Sequence, residues 1–184
     1  MVDPTESLEV LSPPSDRAER LEGRALVLGI GNILLTDDGV GVHVTEFLRD
    51  GQSAGKVPGT VAIRDGGTIG LSLLSEIDAD TSIIALDAME MGEPAGTVRC
   101  FTGVDMDRQL KGKKKTAHEV ALADLMQAAQ FSGCAPERRA LVAIQPGATG
   151  LGLVPTPAVA AAIPVAAQLV LETLKGWFDE QRHP

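Results

Sequence analysis

Apolar positions along this chain follow two rhythms. Short unbroken runs appear at "RALVLGI" (Arg24–Ile30), "SIIALDA" (Ser82–Ala88) and "ALVAIQP" (Ala140–Pro146). Runs of that length without alternation fit strands buried on both faces. "VAIRDGG" (Val61–Gly67) and "GTVRCF" (Gly96–Phe101) read as two further strands. Between the strands the spacing widens to that of helices. A helix reaching about Asp50 sets Val40, Val44 and Phe47 on one side and His43, Glu46 and Asp50 on the other. "TIGLSLLSEI" (Thr68–Ile77) reads as a second helix. Leu122, Leu125, Met126 and Ala129 form the apolar face of a third. Its start is marked by Thr116 and Glu119 at the S/T-x-x-E spacing of a capping box. A final helix begins with Thr156 as N-cap and Pro157 at its first position, and Pro164 is expected to kink it.

The resulting order, βαβαββαβα, predicts an α/β fold. The expected form is one three-layer domain: a twisted, mostly parallel sheet of about five strands with helices on both faces. The domain is expected over 24–180. Residues 1–23, rich in Pro, Ser and acids, read as a flexible extension. The polar stretch Thr102–Ala117 carries "KGKKK" (Lys111–Lys115). This is a solvated loop or, as a functional reading, a docking surface for an acidic partner. In such folds sites lie outside the carboxyl ends of the strands. Asp38 follows the first strand and Asp87 closes "SIIALDA", so both belong at that edge.

Composition narrows the partners. The 184 residues are 44% hydrophobic and 22% charged, the balance of an ordinary globular chain. A formal net charge of −9 argues against a nucleic-acid partner, whose phosphates need clustered cations. With aromatics at 3%, base-stacking platforms are also disfavoured. Cys100 and Cys134 match no CxxC pattern, and two thiols so placed fit a reducing compartment. The acidic N-terminus does not read as a signal peptide. No apolar run is expected to reach membrane-spanning length. A cytoplasmic protein without a membrane partner is the expectation.

The loop "LGIGNILLTDDGVG" (Leu28–Gly41) sharpens the chemistry. A dinucleotide fingerprint would need glycine where Leu34 stands, and the Asp37–Asp38 pair would repel pyrophosphate. Ser72 lacks the second glycine of a nucleophile elbow, and Cys100 lies within a strand with no neighbouring histidine. Acids at strand ends fit a cation instead. Asp38, Asp87 and His118 make an O,O,N set from three segments, a mixture that a borderline divalent ion such as nickel or zinc accepts. At the second helical position the dipole favours the neutral, ligand-competent imidazole of His118. The plainer reading makes Asp38 a helix cap, Asp87 a strand end and His118 a solvated first-turn residue. Spacing alone leaves both open, and the plainer one is commoner. Asp37 rivals Asp38, but adjacent side chains near a helix start diverge by about 100°, so only one points easily into a crevice. His43, beside Glu46, and His183, next to the end, are weaker candidates.

"LGIGNILLTDDGVGVHVTEFL" resembles the opening motif of the hydrogenase maturation endopeptidases, aspartyl-type peptidases that trim the large subunit of nickel–iron hydrogenases. "DGGTIGLSLL", "IIALDAMEMGEPAGTVRCF", "TAHEVALADLMQAAQFSG" and "LVAIQP" resemble family segments in the same order. The likeness spans about Arg24–Pro146 and extends into the C-terminal helix. It implies a sheet between helices and a metal-binding, catalytic set carried onto Asp38, Asp87 and His118. It also implies nickel, supplied by the large-subunit precursor, and removal of that precursor's C-terminal extension. Many relatives carry glutamate where Asp38 stands, so the arm here is one methylene shorter. The usual "SxHQ" or "SxHE" is "TAHE" here, which keeps a capping hydroxyl. Loop glycines are expected to let a bulky substrate's backbone approach. Two rivals remain on the residues. A receiver-type module would also use an acid pair and a strand-end aspartate, but needs a lysine where Gln145 and Pro146 stand. A non-catalytic nickel chaperone would bind precursor and leave it uncut.

Overall fold

The computed structural model describes residues 25–67, 71–77, 79–111 and 117–182, with 71–72, 117–120 and 181–182 described as backbone only. The expected N-terminal extension therefore lies outside the described residues, as do Thr68–Gly70, Thr116, His183 and all of "KGKKK" but Lys111. Five strands form, β1 (Ala25–Ile30), β2 (Val61–Gly67), β3 (Ser82–Ala88), β4 (Val98–Thr102) and β5 (Arg139–Ile144). The helices are α1 (Val40–Ser53), α2 (Val104–Lys111), α3 (Ala117–Phe131) and α4 (Pro157–Arg182).

The strands join one sheet in the order β2-β1-β3-β5-β4. All neighbours are parallel except the edge strand β4, which runs antiparallel to β5. β1 and β3 are buried along their whole length, and β5 is buried from Ala140 on. Their side chains divide by parity between two cores. Val27, Ile84, Leu86, Val142 and Ile144 face α1 and α4, against Val44, Leu48, Val159, Val170 and Leu174. Leu26, Leu28, Ile83, Ala85 and Leu141 face α2 and α3, against Met106, Leu110, Leu122 and Leu125. Full burial of each such aliphatic side chain stabilises the fold by about 1.5–3 kcal/mol. The outcome is the expected three-layer α/β domain.

Three elements differ from the expectation. The segment read as a second helix is a short 3-10 turn, Leu71–Glu76. The polar stretch after β4 contains α2, whose only buried residues are Met106 and Leu110. Two apolar positions one turn apart are too few to register as a periodic face. They suffice once Asp105 pairs with Arg108 at i,i+3 and Asp107 with Arg139. Finally, α4 contradicts the expectation of no span-length apolar run. The 24-residue span Pro157–Glu180 contains an 18-residue stretch of mean hydropathy 1.6, so by length and composition it is long and apolar enough to cross a membrane. Here Val159, Ala162, Ala166, Ala167, Val170, Leu171 and Leu174 bury one stripe of it against the sheet and α1. Its many alanines raise the hydropathy while keeping the helix close to its neighbours. The helix continues through Pro164.

Candidate active site

The parallel strands end at one edge, and the loops after β1, β3 and β5 meet there. The loop after β1 turns back through a 3-10 turn, Thr36–Gly39, into α1. Gly31 makes this reversal possible. Its φ of +130° is a region that disfavours L side chains, and a Cβ there would strike the Asp38 carbonyl. Gly41, in the first turn of α1, lies between the carbonyls of Ile30 and Leu86, where a Cβ has no room. These glycines therefore serve close internal packing of loop and helix against β1 and β3. Packing against the protein's own backbone already accounts for Gly31 and Gly41, without the expected approach of a substrate backbone.

The two adjacent acids have different environments. Asp37 is fully buried and bonded four times. The backbone N–H groups of Gly147 and Ala148 and the Thr156 hydroxyl donate to its Oδ2 at 2.8, 2.9 and 2.9 Å. The Thr156 N–H donates to Oδ1 at 2.6 Å. Burial pushes the Asp37 carboxyl up, but the donated bonds from Thr156, Ala148 and Gly147 outweigh it and hold the group below the ordinary 3.8. Asp37 is the anchor of the β5–α4 loop, and it sits at the start of α4, where helix polarity favours an anion. The sequence presented Asp37 only as a rival to Asp38 for the crevice. Long-range loop anchoring has no local signature.

Asp38 is 5% exposed, and its Oδ2 accepts a 3.0 Å bond from the Asn32 N–H. Asn32 in turn folds back through Oδ1 to accept the Leu34 N–H at 3.0 Å. The turn carrying Asp38 packs directly on β3. Asp87 is 1% exposed near the end of that strand. By alternation it shares a face with Ile83 and Ala85, the face covered by α3. Its Oδ1 is buried and takes no hydrogen bond, while the residue makes polar contact elsewhere. His118 is the second residue of α3. A short turn carries α3 into the N-terminal end of β5, so the start of α3 lies toward the opposite edge, where Asp38 and Asp87 are. The His118 side chain is outside the described residues. Among the described residues no cluster of three His, Cys, Asp or Glu is assembled.

Gln145, where a receiver module would need its lysine nearby, is 3% exposed and fully engaged. Its Oε1 accepts the Met91 and Glu93 N–H groups at 2.7 and 3.3 Å. Its Nε2 donates to Glu90 Oε1 and the Pro146 carbonyl at 3.0 and 3.1 Å. This amide ties the loop after β3 to the end of β5. Two buried polar residues, Asp37 and Gln145, thus hold the loops that frame the crevice. A cavity of about 450 Å³ opens beside Asp38's partner Asn32, lined also by Gly31, Ile33, Val42, Asp65 and Gly67.

Comparison with known proteins decides the family. The hydrogenase maturation protease (HycI) family model matches residues 42–173. The chain belongs to the hydrogenase maturation protease family. Hydrogenase 2 maturation protease of Escherichia coli (strain K12) is 35% identical over 153 residues, covering 83% of this chain and 91% of the relative. Hydrogenase expression/formation protein HupD of Rhizobium leguminosarum bv. viciae is 34% identical over 155 residues, 84% of this chain and 75% of that one. Among solved structures, the hydrogenase maturating endopeptidase HybD from E. coli superposes with a TM-score of 0.75 at 33% identity, covering 83% of this chain and 93% of that one. The protein is a maturation protease, an enzyme that hydrolyses peptide bonds. The receiver reading is set aside, as the engaged Gln145 already argued.

Proposed function

We propose that this maturation protease removes the C-terminal extension of a nickel–iron hydrogenase large-subunit precursor, and that Asp38, Asp87 and His118 meet the nickel which the precursor carries. The supporting observation is the placement of two buried carboxylates on neighbouring segments at one sheet edge, with α3 starting toward it. Two carboxylates and an imidazole are a donor set suited to a borderline divalent ion. The ion belongs to the substrate and would polarise a nearby carbonyl or acidify a water. Asn32 orients the Asp38 carboxylate through the loop backbone. Whichever of Asp38 and Asp87 is less engaged by the ion is placed to accept a proton from attacking water. Nickel–iron precursors that mature inside the cell would place the enzyme in the cytoplasm. The cysteines Cys100 and Cys134, both free, are compatible with that compartment.

The test is incubation of purified enzyme with nickel-loaded precursor, followed by mass measurement of the precursor's C-terminus. Loss of a discrete C-terminal peptide supports the reading. Stable binding without cleavage would support the chaperone alternative instead.

A further inference from the structure

Beside the crevice the chain displays apolar side chains to solvent. Ile33 and Leu34 in the loop after β1 are 45% and 55% exposed. Leu151, Leu153 and Val154 in the loop after β5 are 90%, 69% and 74% exposed. The two loops are paired like strands. Leu35 bridges Gly152 in parallel register, the Gly152 N–H donates to the Leu34 carbonyl at 3.0 Å, and the Thr36 N–H donates to the Gly152 carbonyl at 2.8 Å. Strand-like pairing brings backbones to within about 5 Å, so Leu34 lies alongside Leu151, with Leu153 one residue on. The Thr36 hydroxyl donates to the Ala148 carbonyl at 2.6 Å, and Asp37 grips the base of the same loop. Backbone pairing thus holds the two loops that carry these five exposed apolar residues together, with Leu34 beside Leu151.

The sequence around these residues is also unusual for a surface. No charged residue occurs between Arg139 and Glu172, although 22% of the chain is charged. An exposed apolar patch on a surface loop marks an interaction site. The exposed residues adjoin the segment that carries Asp38: Ile33 lines the 450 Å³ cavity beside Asn32, and the Asn32 N–H bonds the Asp38 carboxylate. Ile33 and Leu34 lie in the same loop as Asp38, so a polypeptide whose scissile bond reaches Asp38 comes close to them.

We propose that Ile33, Leu34, Leu151, Leu153 and Val154 form a docking platform for an apolar segment of the hydrogenase precursor flanking the cleavage point. This rests on the function proposed above. The platform supplies uniform binding: it holds substrate and transition state alike, so its loss raises KM and leaves kcat in place. A preformed surface also loses little conformational freedom on binding.

The experiment measures processing of nickel-loaded precursor by wild type, Leu151→Ser, and the triple variant Leu34→Ser/Leu151→Ser/Leu153→Ser. Phe131→Ser serves as control, because Phe131 is 85% exposed at the far end of α3. The triple variant is expected to raise KM by about tenfold or more with kcat within about twofold. Leu151→Ser should raise KM in part, and Phe131→Ser should leave both constants unchanged. An unchanged KM in the triple variant, with wild type active, overturns the platform and leaves the proposed function standing. A fall in kcat at constant KM overturns it too, since the loops would then organise the chemistry. So does sedimentation of wild type as a dimer that the triple variant dissociates, because a second copy would be the occupant. No cleavage and no precursor binding by wild type would remove both readings together.

Discussion

Asp37 and Thr156 stand 119 residues apart and are joined twice, by the Thr156 N–H to Oδ1 and by the Thr156 hydroxyl to Oδ2. With the Gly147 and Ala148 N–H groups on the same carboxylate, this buried acid closes the β5–α4 loop onto the β1–α1 loop. Asp37→Asn would present an amide N–H₂ to donors that need an acceptor. The expected cost is about 2–4 kcal/mol, a Tm lower by roughly 5–15 °C in a chain of this size.

The same carboxylate carries a pH signature. Its folded value lies below 3.8, so Asp37 contributes stability that is fully present above about pH 4, where the unfolded chain's aspartate is also ionised. That contribution is lost as pH falls through the lower folded value. Thermal melts of wild type and Asp37→Asn should therefore differ most near neutrality and converge below about pH 4. A constant gap down to strong acid would show that the anionic form is not the anchor. Asp107, held below its ordinary value by the Arg139 guanidinium, will keep some acid sensitivity in the variant.

Asp87→Asn should separate cleanly from Asp37→Asn. Asparagine preserves the shape of Asp87 but removes the charge that a divalent ion and a proton acceptor both require. Processing is expected to fall at least about a hundredfold, the scale of losing a general base, with Tm nearly unchanged. Asp37→Asn should instead lose Tm, and lose activity only as its loops loosen. His118→Ala is expected to behave like Asp87→Asn. Measured side by side, equal Tm losses in Asp87→Asn and Asp37→Asn would make Asp87 a structural acid.

Gly41→Ala tests the packing of the glycine loop. A methyl there would meet the carbonyls of both Ile30 and Leu86, and backbone on two sides cannot yield as a side chain would. A cost of about 3 kcal/mol or more is expected, read as a lower midpoint in urea. Gly55→Ala is a useful contrast in space alone. It meets nothing within 4 Å, and only its φ of +75° opposes it.

What the sequence showed was what local pattern can carry. Unbroken apolar runs marked β1, β3 and β5, and Thr156–Pro157 marked the start of α4 to the residue. Strand ends placed Asp38 and Asp87 at one edge because a parallel sheet puts every such end together. The pattern failed where stability comes from distant partners. α2 depends on Arg139, a residue more than twenty-five positions on. The anchoring role of Asp37 was not legible because its donors lie beyond position 146. Alanines in α4 carry a hydropathy signal that a membrane span and a tightly packed core helix share.

Nickel dependence is the prediction that most directly examines the proposed site. Two buried acids without a shared cation gain little from an incoming peptide tail, and their charges disfavour the precursor's own carboxy-terminal anion. With nickel on the precursor, the same groups acquire a common counter-charge only when substrate is in place. Each tenfold of discrimination requires about 1.4 kcal/mol, so a single charge-assisted contact of about 2 kcal/mol already favours loaded over unloaded precursor by more than an order of magnitude. Matched precursor with and without nickel, assayed with no free metal, should therefore be cut at rates differing by at least about tenfold. Zinc added to nickel-free precursor should not restore the rate if the ion must arrive already seated in the substrate. Equal rates for the two precursors would remove the gate and assign any metal requirement to the enzyme itself.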